Sequence, residues 1–251
     1  MKNKTFLCLN ILLLLNFHVD GQIETKAKGF DINKEAVWLN LFAQGELGTT
    51  YEINADHNDA QKLFEIKGNR TEVLYNWPDG EAPFGMISTM KEYSRFNLEF
   101  EYKWGNRKFA PRDSVKRDAG VLFHCKGPKK IWPSSLECQV QEGDTGDLWV
   151  IKGPKITVKN PNGTQREVDA SGEKEYQRNV KFNDYEKEGW NHVRVEVRGA
   201  ETARFFVNGH LVNEITDFIS KDGSPLDSGY ITFQAEGAEL VYKEIRIQNL
   251  E

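Results

Sequence analysis

No stretch of this 251-residue chain approaches the roughly 20 consecutive apolar residues that a membrane-spanning helix needs, so no membrane span is expected. Helical periodicity is weak almost everywhere, which speaks against a helical bundle. No Pro/Ser/Gly linker, internal repeat or low-complexity tract divides the chain. Basic residues are scattered rather than clustered, and the formal net charge is −5; a nucleic-acid partner is therefore not expected. Cysteine is scarce, with three residues in all. Also missing are the ligand spacing of a zinc site, a Gly-rich loop that would cradle phosphate, and the elbow of a nucleophilic serine.

The first residues, MKNKTFLCLNILLLLNFHVDG, carry Lys2 and Lys4, then an apolar run from Phe6 to Leu15, then a polar end with a small residue at Gly21. This is the three-part pattern of a secretory signal over residues 1–21, and it implies a secreted or periplasmic protein that begins near Gln22. Cys8 lies inside the apolar run with no small residue before it, which argues against a lipid-anchored cysteine at the cleavage point. Loss of Lys2, Lys4 and Asp20 would leave the remaining chain near −6. Residues 22–251 are read as a single domain. Its two cysteines, Cys125 and Cys138, could pair in an oxidising compartment.

Short alternating runs bounded by Gly, Asn, Asp and Pro recur along the domain, as an antiparallel β-sandwich of the jelly-roll kind requires. They cover residues 95–104, 120–125, 135–142, 190–199, 203–209, 229–236 and 239–250, each rich in β-branched and aromatic residues. Asn208-Gly209 between ARFFV and HLVNEI predicts a two-residue hairpin, because both central positions of such a turn favour a left-handed backbone. Asn162-Gly163 suggests a second tight turn. Residues 105–119 are polar and charged and read as a loop, either a solvated connector or one that overhangs a binding face.

Chemistry-bearing residues concentrate in residues 118–153. Side chains alternate across a pleated strand. Val121, Phe123 and Cys125 therefore point one way and Leu122 and His124 the other. In the next strand Leu136, Cys138 and Val140 share one face, and Glu137, Gln139 and Gln141 share the opposite one. With the apolar sets in the core, His124, Glu137 and Gln139 are expected together on the other face, an acid/base pair beside an amide on a rigid sheet. Cys125 and Cys138 would share the buried face, as a disulfide or as two free thiols. Trp132 and Trp149 flank this set and are candidate sugar platforms, because aromatic faces stack on the apolar faces of sugar rings. Trp190 reads as core, ahead of the alternating Val193, Val195 and Val197. His192 and His210 read as surface or hydrogen-bonded residues. Asp144 and Asp147 in EGDTGDLW suit either a calcium loop or an ordinary turn.

The motifs DAGVLFHC, ECQVQE, EGWNHVRVEV, FVNGHLV and GYITFQAEG, followed by ELVYKEIRIQNL, resemble in content and order the 3-keto-disaccharide hydrolase family of concanavalin-like folds. The resemblance spans nearly all of residues 22–251. Glu142 stands where that family usually has Asp. The resemblance implies an oligosaccharide or glycoside substrate whose sugar is oxidised to a ketone at C3. The ketone acidifies the C2 proton, so a base can remove it, the glycosidic oxygen leaves, and water then adds to the unsaturated sugar. On this reading His124 and Glu137 are the expected acid/base pair, with Gln139 orienting substrate or holding Glu137. Lys126, Lys152 or a divalent cation would stabilise the enolate; Gln141, Trp132 and Trp149 would bind sugar.

Two other readings use the same residues. A non-catalytic carbohydrate-binding module would need the tryptophans and amides but not His124. A retaining glycoside hydrolase would use Glu137 and Glu142, whose spacing resembles the Glu-x-Asp-x-x-Glu strand of laminarinase-type glucanases. Here Gln139 replaces the central Asp, and a neutral amide cannot tune its neighbours as a carboxylate does.

Overall fold

The computed structural model describes residues 37–41, 47–52, 62–172 and 175–251. The leader expected over residues 1–21 lies outside the described residues. Ala36–Glu251 forms one compact unit, and no helix among the described residues is long and apolar enough to cross a membrane.

Among the described residues the strands are β1 (Trp38–Asn40), β2 (Leu47–Glu52), β3 (Phe64–Lys67), β4 (Arg70–Val73), β5 (Gly85–Thr89), β6 (Arg95–Lys108), β7 (Asp118–Lys126), β8 (Ser134–Gln141) and β9 (Leu148–Ile151). They continue with β10 (Lys155–Lys159), β11 (Gln165–Asp169), β12 (Tyr176–Asn179), β13 (Asn191–Arg198), β14 (Thr202–Val207), β15 (His210–Ile219), β16 (Tyr230–Ala235) and β17 (Ala238–Asn249). All pair antiparallel in two sheets. One has ten strands, in the order β11-β10-β15-β14-β13-β6-β17-β4-β3 with β1 also on β17; the other has seven, in the order β12-β9-β8-β7-β16-β5-β2. The chain is an all-β antiparallel sandwich, as the alternating runs predict. The Asn208-Gly209 turn joins β14 to β15 with φ of 50° and 84°, the left-handed pair that the hairpin needs.

The core lies between the sheets. Val193, Val195 and Val197 of β13 and Phe96, Leu98, Phe100 and Tyr102 of β6 face inward from the ten-stranded sheet. Ala119, Val121 and Phe123 of β7, Leu136, Cys138 and Val140 of β8, and Ile231 and Phe233 of β16 meet them from the seven-stranded sheet. Edge-to-face rings join the layers, with Phe100 to Phe233 at 5.9 Å and Phe233 to Tyr242 at 5.5 Å. Trp190 is not in this core. Its position has the outward parity of His192 and Arg194, and Lys243 Nζ sits 4.1 Å from the centre of its ring on the solvent side.

One irregularity decides what the seven-stranded sheet presents outward. The β7–β8 register shifts between Phe123 and Lys126, and the β16–β7 register shifts between Tyr230 and Thr232. His124 occupies the bulge with φ of 48°. Gly229 makes room for it, since a Cβ there would lie 2.4 Å from the carbonyl carbon of His124. The extra residue exchanges the two faces that strict alternation assigns. His124 turns inward among Phe96, Phe123 and Phe218. Cys125 turns outward, into a cluster with Met86, Leu122 and Tyr230. Cys125 and Cys138 therefore lie on opposite faces of the sheet, and both are free thiols.

His124 is fully buried. Its Nδ1 lies 3.0 Å from the Leu226 carbonyl and its Nε2 lies 3.4 Å from that of Ser94; a neutral imidazole can donate to only one of them. Burial lowers its pKa to about 4. The unfolded chain then binds more protons than the folded one between about pH 4 and the unperturbed value near 6.5. Stability is full above that window and falls as the pH drops through it, by on the order of 3 kcal/mol. Urea titrations of parent and His124→Gln at pH 7.5 and 4.5 should show this share of the acid destabilisation in the parent and its loss in the variant.

Candidate functional site

The outward face of the seven-stranded sheet carries a cleft of about 560 Å³. Its floor is built by register. Glu137 of β8 stands opposite Trp149 of β9 on one side and Leu122 of β7 on the other. One row on, Gln139 stands opposite Gly120, and Gln234 of β16 comes in from the far side. A further row holds Gln141 opposite Asp118. Glu236 follows directly after β16. Gly120 makes the centre of the floor hollow. A Cβ there would lie 1.9 Å from Glu137 Oε1 and 2.1 Å from Gln234 Oε1, so no other residue leaves space for both side chains.

Three carboxyl groups, all buried, meet in this hollow: Asp118, Glu137 and Glu236. Asp118 is the best supported. Arg112, delivered by the loop between β6 and β7, binds its Oδ2; Gln139 Nε2 donates to Oδ1 at 2.8 Å and Gln141 Nε2 to Oδ2 at 2.7 Å. Even so, loss of solvent raises the Asp118 pKa. Glu236 Oε1 accepts from the Trp132 indole at 2.8 Å and from Gln234 Nε2 at 3.2 Å. Burial and then the charge of Asp118 raise its pKa to about 8, so it keeps a proton at neutral pH. Glu137 is raised well above the usual range by burial, then by the charges of Glu236 and Asp118. Among the described residues its carboxyl has no hydrogen-bond partner. Three more polar atoms here are buried and unpaired: Gln139 Oε1, Gln234 Oε1 and Arg112 Nε. Such atoms are costly in a folded protein unless something else satisfies them.

Opposite the carboxyls, Trp149 and Ile151 of β9 and Tyr176 of β12 form the other wall, with Trp132 reaching in from the β7–β8 connection. Trp132 has φ of 49°, a backbone conformation unfavourable for so large a residue, and its N–H is what fixes Glu236.

The expected site residues separate into two groups. Glu137, Gln139, Gln141, Trp132 and Trp149 come together in the cleft. His124 does not, because the bulge seals it beneath the sheet. Glu142 lies past the end of β8 in a different recess, where Arg117 Nη2 binds it at 2.6 Å and holds its carboxyl below the usual range. Lys126 is paired with Glu92 at 3.0 Å, and Lys152 places its Nζ 5.5 Å from the centre of the Tyr176 ring without lining the cleft. Sequence reasoning missed Arg112, Asp118, Gly120, Gln234 and Glu236. The last two share a parity in GYITFQAE, opposite the inward Ile231, Phe233 and Ala235, so a signal for them was present. Arg112 has no alternation to read, but it lies in the 105–119 segment, and of the two readings given for that segment its place in the cleft fits the loop that overhangs a binding face.

No group of three or more His, Cys, Asp and Glu among the described residues is arranged to hold a metal ion. The acids of EGDTGDLW are already neutralised: Asp147 is buried against Arg178, which also reaches Asp144 Oδ2 at 3.3 Å, and Asp144 binds Lys116 at 2.8 Å. The cleft carboxyls differ from these acids: burial and mutual repulsion raise Asp118, Glu137 and Glu236, and Arg112 binds Asp118 alone of the three.

A family model described as the 3-keto-alpha-glucoside-1,2-lyase-like domain matches residues 38–248. Among solved structures, a provisionally named glycosyl hydrolase of Parabacteroides distasonis is 19% identical, with a TM-score of 0.50 over 85% of this chain and 100% of that one. A second such protein of that organism is 18% identical, with a TM-score of 0.48 over 76% and 84%. A carbohydrate-binding module, CBM66 of Bacillus subtilis, is 12% identical, with a TM-score of 0.47 over 80% and 95%. No curated protein sequence matches the chain.

The Trp132 indole stabilises the charged form of Glu236, so its removal should raise the pKa of that carboxyl. Carbon-13 NMR titration of Glu236 in the parent and in Trp132→Phe should show the midpoint moving to higher pH. An unchanged midpoint would mean that the hydrogen bond does not tune this group.

Proposed function

The chain belongs to the 3-keto-alpha-glucoside-1,2-lyase-like family, a family of carbohydrate-active domains, and on that premise we propose that it cleaves glycosides carrying a ketone at C3 of the sugar. The observation that carries the reading is Glu137, a buried carboxyl without a hydrogen-bond partner at the floor of the cleft, beside a second carboxyl that holds its proton. In the proposed reaction Glu137, in its ionised form, takes the C2 proton. The C2–H electron pair moves toward the C3 carbonyl, and Arg112 Nε, which has no partner among the described residues, donates to the enolate oxygen. The enolate then expels the glycosidic oxygen from C1, and Glu236 supplies the proton that oxygen needs. Water adds at C1 of the resulting enone while C2 regains a proton, so the net change is hydrolysis. Gln139 Oε1 and Gln234 Oε1 are acceptors suited to sugar hydroxyls. A raised pKa makes Glu137 a stronger base than an ordinary carboxylate, at the cost of being ionised in only part of the population. We also read the chain as exported, on its leader-like residues 1–21.

Retaining hydrolysis by Glu137 and Glu142 has no support in the geometry, since the two carboxyls line separate recesses.

The test is product analysis with matched native and 3-keto disaccharides, with and without chelator. Only the keto sugar should be cleaved, and Glu137→Gln should lose about 10²–10⁴ in turnover while still binding it. Cleavage of the native sugar would point to conventional hydrolysis, and binding of both without cleavage to a carbohydrate-binding module. The active form needs Glu137 ionised and Glu236 protonated, so the kcat/KM profile should be bell-shaped. Glu236→Gln should lose one limb of that bell and be low throughout.

A further inference from the structure

The two sides of the cleft differ in what they can bond. The side toward β7 and β16 holds unpaired acceptors, the unpaired Arg112 Nε and the proton-bearing carboxyls. The side toward β9 and β12 offers ring faces and a branched aliphatic chain from Trp149, Ile151 and Tyr176. Two cations border it: Arg178, whose Cζ lies 5.8 Å from the centre of the Trp149 ring and whose Nε and Nη2 are held by Asp147 and Asp144, and Lys152, whose Nζ lies 5.5 Å from the centre of the Tyr176 ring. The apolar surface also has depth. Trp132 and Trp149 pack on a second cluster of Met86, Leu122, Cys125, Ile151 and Tyr230, separate from the main core. Tyr176, at the outer edge, is 41% exposed, a large ring left in solvent beside the cleft. Glu137 marks the border, with Trp149 opposite it in register on the apolar side and the hollow of Gly120 diagonal to it on the polar side.

A second sugar ring would bring hydroxyls that need partners around its whole edge, and this side presents mainly ring faces and an aliphatic chain, with the Trp149 indole N–H, the Tyr176 hydroxyl and Arg178 as its polar groups. Desolvating a hydroxyl without a compensating hydrogen bond is costly, whereas an aromatic ring meets Trp149, Ile151 and Tyr176 without that penalty. The polar side supplies the hydroxyl partners that a single sugar ring requires. We propose that the β9–β12 wall is an aglycone subsite for an aromatic group, so that the preferred substrates are glycosides of aromatic or arylalkyl alcohols rather than disaccharides. This rests on the proposed function for the reacting end of the substrate, but the subsite can be tested apart from it.

The leaving-group effect is removed by comparing a 2-phenylethyl glucoside with a glucose disaccharide, because both release an alkyl alcohol. Calorimetry on the unoxidised pair reads the subsite without chemistry, and kinetics on the 3-keto pair reads both. The phenylethyl compound should bind about tenfold more tightly than the disaccharide and show a correspondingly lower KM, the size of one stacked ring pair. Tyr176→Ala, an exposed position whose loss should not unfold the protein, should remove most of that preference. Equal or tighter binding of the disaccharide, or a preference that survives Tyr176→Ala, would overturn the subsite whatever the activity. If the preference holds but neither keto compound is cleaved, the subsite stands and the elimination chemistry falls.

Discussion

Everything in the cleft depends on the alternation of side chains across the seven-stranded sheet, with a hydrogen atom in place of a side chain at Gly120. Alternation sends Val121, Phe123, Leu136, Cys138 and Val140 into the core and leaves Glu137, Gln139 and Gln141 on the other face. A flat polar face would be ordinary solvated surface. The missing Cβ at Gly120 lets Glu137 and Gln234 lean into the same space. The result is a depression whose polar groups are buried instead of hydrated.

Burial of that kind sets the electrostatics. Three carboxyls converge with Arg112 as the cation bound to one of them, and desolvation is the leading cause of every upward shift among them. Among the described residues, the protein bonds no second side-chain cation to these three carboxyls. It lets Glu236 and Glu137 hold protons, which is the cheaper state for a carboxyl removed from water. Glu142, in a wetter recess beside Arg117, shows the contrast: the same functional group is held ionised. A site with several unsatisfied buried atoms costs stability, which the packing of the rest of the fold has to offset.

Membership in a family of carbohydrate-active domains and the geometry of the cleft agree on the general ligand, a sugar, while the division of the cleft into a hydrogen-bonding half and an apolar half bears on which glycoside it takes. That division follows from strand order. The polar half comes from β7, β8 and β16 at the middle of the sheet, and the apolar half from β9 and β12 at its edge. Residues on neighbouring strands share a wall, and residues near each other in sequence need not.

The antiparallel sandwich, the Asn208-Gly209 hairpin and the polar face of β8 were determined by the sequence itself, because each rests on a period-two pattern or on local turn chemistry that neighbouring residues carry. Trp190 was legible too, had its parity been followed from Val193 back to the outward side. His124 was not, since one bulge residue reverses the faces of all that follows it and nothing in GVLFHC announces the bulge. Its partner in that reversal, Gly229, lies more than a hundred residues away in sequence. Only the tertiary structure decided that Arg112 from a loop meets Asp118, that Glu236 from a distant strand joins Glu137, and that Glu142 does not. Those contacts depend on strand order and register between segments far apart in the chain, and alternation within a strand holds no information about either.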